Sequence, residues 1–162
     1  MEKKKSLKKN RIMLTKEGFV ALEAEYKDLI DCKRPEVLKE IQNARSMGDL
    51  SENGMYHAAR QKLSFMQGRI IEVEEILKKA EIIDSRVKSG VKKADLGSIV
   101  VVADQEKMIN YSLVSPHEVN IAVNKISLES PIGKSLYGRR IGDTVEFEAP
   151  AGKKKLKVIE IR

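Results

Sequence analysis

The sequence predicts an α+β chain: an N-terminal antiparallel α-helical coiled-coil hairpin followed by a small sheet-plus-helix domain. Three observations predict it. Residues 14–80 carry two long apolar seams at helical spacing. One short polar turn, Gly48-Asp49-Leu50-Ser51-Glu52-Asn53, separates the seams. After about Ile83 the helical pattern gives way to short β-branched runs punctuated by glycine and proline.

Residues 1–11 come first, with Lys3, Lys4, Lys5, Lys8, Lys9 and Arg11 against Glu2. No apolar run follows, so they are no secretory signal. They read as a basic, mobile arm that either tracks phosphates or solubilises the chain. The hairpin is expected over residues 12–83. Thr15 suits the N-cap of its first helix and Glu17 the positive first turn. The first seam is Phe19, Leu22, Tyr26, Leu29, Ile30, Val37, Ile41 and Ala44. Pro35 interrupts it; a proline inside a regular helix costs about 3 kcal/mol, so a kink or break is expected just before it. The second seam, Ala59, Leu63, Met66, Ile70, Val73, Leu77 and Ala80, steps by four and three in alternation, which is a heptad stripe. Such a helix must lay its stripe on a partner, and a short connection makes the preceding helix that partner. At about 1.5 Å per residue, roughly 30 residues give an arm of about 45 Å.

Residues 84–95 are polar and lysine-rich and read as a linker. The second domain is expected over residues 96–162. Ile99-Val100-Val101-Val102 and residues 108–114 are candidate strands. Residues 144–149 alternate, with Val145, Phe147 and Ala149 on one face. Pro150-Ala151-Gly152 turns the chain into a closing strand marked by Leu156, Val158 and Ile161. One short helix lies between them, with Ser130 as its cap, Pro131 in its first turn and Gly138 at its end.

Composition bounds the function. The chain has 162 residues, 41% hydrophobic, enough for one domain or two small ones. No stretch is long enough to span a membrane. A single cysteine, Cys32, excludes an internal disulfide and a cysteine-based metal cluster, and fits a reducing, cytoplasmic setting. The formal net charge is +7, and Lys153, Lys154, Lys155 and Lys157 form a second basic run. Aromatics are 4% and tryptophan is absent, so a stacking surface for single strands is not expected. The charge points to a partner rich in nucleic acid. Nothing indicates an obligate oligomer, and a monomer is expected.

Two motifs resemble a known family. The segment Ile41-Gln42-Asn43-Ala44-Arg45-Ser46-Met47-Gly48-Asp49-Leu50-Ser51-Glu52-Asn53-Gly54-Met55-Tyr56-His57-Ala58-Ala59-Arg60, with Gly68-Arg69-Ile70 beyond it, resembles the hairpin tip of the bacterial transcript-cleavage factors of the GreA/GreB family, GreA type. Ser130-Pro131-Ile132-Gly133-Lys134-Ser135-Leu136-Tyr137-Gly138, then Gly142-Asp143, resembles the family's C-terminal signature, and Leu113-Val114-Ser115-Pro116-His117-Glu118 fits the same pattern.

The resemblance implies a coiled coil that enters the secondary channel of bacterial RNA polymerase and an FKBP-like second domain that docks at the rim. Ser130, Pro131, Ile132 and Gly133 are docking candidates. It further implies that Asp49 and Glu52 help the polymerase's own site cut the 3′ end of backtracked nascent RNA, so the chain activates an enzyme and is not one. Two carboxylates on an exposed turn make a poor metal site alone, but they could complete a Mg²⁺ site shared with the polymerase. Spacing alone favours ordinary capping and turn chemistry for both acids; the resemblance reverses that. Gly48, Leu50, Ser51 and Asn53 are read as support for the turn, with Ser51 or Asn53 capping the second helix. Arg45 and Arg60 either face RNA phosphates or are a solvated helix face. His57 reads as a helix-surface residue. Family members commonly carry an acid where Met55 stands and often alanine where Gly54 stands, which removes a negative charge near the turn. A channel binder that inhibits or remodels without cleavage is the alternative. A prolyl isomerase would need an aromatic pocket, and Tyr111, Tyr137 and Phe147 are too few to build one. A free-standing nuclease would need a preformed metal site.

Overall fold

A computed structural model describes residues 11–46, 53–83, 93–104, 107–149 and 152–162. Residues 1–10, 47–52, 84–92, 105–106 and 150–151 lie outside them. The chain divides into two compact units, one built on Phe19–Ala80, the other on Met13–Gly18 together with Glu81–Arg162.

The first unit is helical. Helix α1 (Lys16–Asp28) runs into a π-helical turn (Leu29–Lys33) and on into α2 (Arg34–Arg45); α3 (Gly54–Lys79) returns. Thr15 caps α1 as expected: its Oγ1 accepts from the Gly18 N–H at 3.0 Å. Pro35 does not break the helix. The interruption before it is the π turn, in which the Arg34 N–H donates to the Leu29 carbonyl five residues back. A wider turn takes in an extra residue and relieves the clash and the missing donor that proline brings.

The seams do what their period predicts. Val37, Ile41 and Ala44 of α2 bury against Tyr56 and Ala59 of α3, with Leu63 and Met66 packed alongside. Cross-links confirm the antiparallel register. Lys62 pairs with Glu40 at 2.8 Å, and Arg69 forks onto Glu25 at 2.8 and 2.9 Å. Numbers rise on α3 as they fall on the facing helices. Two corrections apply to the second seam. Ile76, outside it, is 3% exposed. Ala80, read as its last helical residue, begins strand β2 (Ala80–Ile83). The β-branched pair Ile82-Ile83 favours strand there. Strand β2 pairs with β1 (Ile12–Thr15) in a two-stranded sheet that the sequence did not announce.

The second unit holds a five-stranded sheet in the order β5-β4-β3-β7-β6. Its strands are β3 (Ile99–Asp104), β4 (Lys107–Val114), β5 (Lys125–Ser127), β6 (Thr144–Ala149) and β7 (Gly152–Ile161). All neighbours are antiparallel except β4 and β5. Helix α4 (Pro131–Leu136) packs against β5 and β6. The core is Ala94, Val100, Val102, Leu113, Leu136, Val145, Phe147, Leu156 and Val158. Alternation had put Val145, Phe147, Leu156 and Val158 inward. The second basic run lies on β7 and is partly answered: Lys155 pairs with Glu146 at 2.6 Å and Lys154 with Asp104 at 3.5 Å.

Candidate functional site

The acidic pair, Asp49 and Glu52, falls outside the described residues, as do Gly48, Leu50 and Ser51. What the structure gives is the frame on either side. On the α2 side, Ser46 ends the helix, and its hydroxyl donates to the Asn43 carbonyl at 2.7 Å. On the α3 side, Asn53 is the N-cap, with extended backbone and a side-chain Oδ1 that accepts from the Met55 and Tyr56 N–H groups at 3.1 and 3.2 Å. This satisfies two of the four donors that a helix start leaves open. The Asn53 Nδ2 donates across to the Ala44 carbonyl of α2 at 2.7 Å. Ala44 and Tyr56, 5% and 9% exposed, form the packed floor beneath.

Arg45 and Arg60 come together around one ring. The Arg45 guanidinium carbon lies 5.7 Å from the Tyr56 centroid and that of Arg60 5.8 Å. Both are within cation–π range. The Arg45 side chain at the hydroxyl lowers the Tyr56 pKa below the usual tyrosine value; burial opposes this, and the charges of Arg45 and Arg60 add to the lowering. The three residues border a groove of about 570 Å³ whose remaining walls are Leu38, Ile41, Gln42 and Leu63. Two cations beside an apolar groove can receive an anion such as a phosphodiester. Tyr56, like Ile76, is a buried residue that the seam count missed. It sits three before Ala59 and four before Arg60, so extending the heptad one step toward the turn would have found it. His57 meets the Tyr56 ring edge-on at 5.7 Å and is exposed.

In the second unit, Ser130 caps α4: its Oγ accepts from the Gly133 N–H at 3.0 Å and donates to the Ser127 carbonyl at 2.7 Å. Pro131 is exposed in the first turn, and Ile132 packs on the core. Gly133 is buried so closely that an added Cβ would run into the Ser127 carbonyl, 2.8 Å from its carbon. The motif Ser130-Pro131-Ile132-Gly133 is therefore at least the folding device of this helix. Among the described residues, no group of three or more His, Cys, Asp or Glu could hold a metal ion. No helix among them is long and apolar enough to cross a membrane.

Two family models match, in order and nearly end to end: "Transcription elongation factor, N-terminal" over residues 12–82 and "Transcription elongation factor, GreA/GreB, C-term" over residues 88–162. The chain is 43% identical over 154 residues to the transcription elongation factor GreA of Rhodospirillum rubrum, covering 94% of this chain and 98% of that one. It is 42% identical over 157 residues to the protein of the same name from Trichlorobacter lovleyi, covering 94% and 98%. Among solved structures, the GreA factor homolog 1 protein of Thermus thermophilus is 30% identical, with 94% of this chain and 99% of that one covered and a TM-score of 0.44. The chain belongs to the GreA/GreB family of transcription elongation factors.

Proposed function

We propose that this elongation factor binds bacterial RNA polymerase, inserts its helical hairpin into the secondary channel, and stimulates the polymerase's own cleavage of backtracked nascent RNA. One observation carries the reading. The only residues between two helix ends held together by Asn53 are the six that include Asp49 and Glu52. A slender helical pair is suited to carry an acidic pair into a narrow passage; α3 alone, at 26 residues, is about 39 Å long.

Each part has a chemical task. Asp49 and Glu52 offer hard oxygen donors of the type Mg²⁺ takes, and two carboxylates fit a site that polymerase completes rather than one the chain holds alone. When bound, the ion supplies positive charge that activates water and steadies the leaving oxygen of a phosphodiester. Arg45 and Arg60, steadied on Tyr56, hold phosphates of the extruded RNA 3′ end. The unit containing Ser130, Pro131, Ile132 and Gly133 provides the docking surface. On this account the chain carries no complete active site and activates an enzyme.

Variants of the acids test the assignment. D49A or E52A should lower stimulated cleavage about a hundredfold or more, the scale of losing a group that stabilises transition-state charge. Affinity for polymerase should stay within about twofold, because docking rests on the other unit. A parallel loss of binding in a competition assay would make the acids structural and sink the assignment.

A further inference from the structure

At the end of the hairpin, one side chain makes hydrogen bonds that belong to two helices. Asn53 Oδ1 takes the Met55 and Tyr56 N–H groups, and Asn53 Nδ2 gives its hydrogen to the Ala44 carbonyl at 2.7 Å. The first two are ordinary cap bonds, which Asp or Ser at this place would also make. The third differs in kind. Ala44 lies in the last turn of α2, where carbonyls run out of intrahelical donors. The bond therefore ties the C-terminal end of one helix to the N-terminal end of the next. The bond is part-buried, and Ala44, whose carbonyl accepts it, belongs to the packed cluster that includes Tyr56.

Few side chains can do both. An amide carries acceptor and donor on one short stem. Asp keeps the acceptor but turns a carboxylate oxygen toward the Ala44 carbonyl. Ser caps with a shorter arm. A residue selected only to cap would be interchangeable with these; a residue selected to bridge would not.

We propose that Asn53 is a positioning residue: its amide locks the end of α2 to the start of α3 at a fixed spacing, and the cleavage assigned above to Asp49 and Glu52 depends on that lock. The inference rests on the function proposed above. It requires that capping and bridging be separable, with activity following the bridge.

N53D and N53S, with D49A as control, separate the two. In a C32S background, paired spin labels on the exposed positions Asn43 and Ala58 report the spacing of the helix ends without any polymerase. The unsubstituted turn should give one narrow distance and N53D and N53S a broadened one. In backtracked complexes both variants should cut RNA about tenfold more slowly or worse at saturating factor, the scale seen when a group orienting metal ligands is lost. They should also need more Mg²⁺ for half-maximal rate, while polymerase affinity stays within about twofold. Wild-type cleavage by N53D, or unchanged label distances, overturns the proposal. So does a loss of binding matching the loss of cleavage, since Asn53 would then be scaffold only. If D49A itself still cuts normally, it is the proposed function that fails, whatever N53D does.

Discussion

Glu25 and Arg69 show what single residues add to the hairpin. The fork between them is charge-assisted and two-pronged, and Glu72 at 2.9 Å holds the same guanidinium in place. Hydrogen bonding to Arg69 holds the Glu25 carboxyl below its ordinary 4.5, against partial burial, with the charge of Arg69 adding to the effect. A lowered folded pKa means that the contribution is fully present above the unfolded value and is lost as pH falls through the folded one. Between about pH 5 and pH 3, denaturant melts should therefore show wild type losing more stability than E25Q. Gly133 makes the opposite point, that a missing atom can be required. G133A should destabilise the second unit by about 1–3 kcal/mol in thermal melts, because its methyl group has only rigid backbone to push against.

At the scale of elements, the helices were legible because their period repeats for many turns. Val37, Ile41, Ala44, Ala59 and Val73 stood in the seams and are buried. Ile76 escaped because a heptad count steps from Val73 to Leu77, whereas a real helix buries a stripe wider than the seam. The strands β1, β2 and β5 escaped because three or four residues are too few for alternation to register. The cap at Asn53 was readable from residue type; its bond to Ala44 was not, since it depends on the register of two helices. Asp49 and Glu52 were legible only as part of a motif, since acids in a polar turn are common. The first turn of α3 offers a further test. Gly54 stands where a Cβ would meet nothing within 4 Å. G54A should stabilise the hairpin by about 0.4–1 kcal/mol in chemical denaturation, mainly by restricting the unfolded chain. A destabilised G54A would mean that the glycine backbone is needed at the start of α3.

The molecule combines two units of unlike construction, and the proposed function gives each its own task. The helical unit is thin, its buried surface confined to one stripe, and it carries charged pairs such as Glu40–Lys62 and Glu25–Arg69 across that stripe. The sheet unit has a fuller core around Leu113, Leu136 and Val158, each completely buried. It is the part to which the proposed function assigns docking. An excess of basic over acidic residues, +7 in all, suits a partner that holds nucleic acid, and the acids at 49 and 52 are the pair that the proposed chemistry needs. The most direct test is to add the protein to purified, backtracked polymerase complexes carrying 3′-labelled RNA and Mg²⁺. Short 3′ fragments should appear well above the level polymerase releases alone, and naked RNA should stay intact. Fragments no more abundant than in the polymerase-only control would contradict the account.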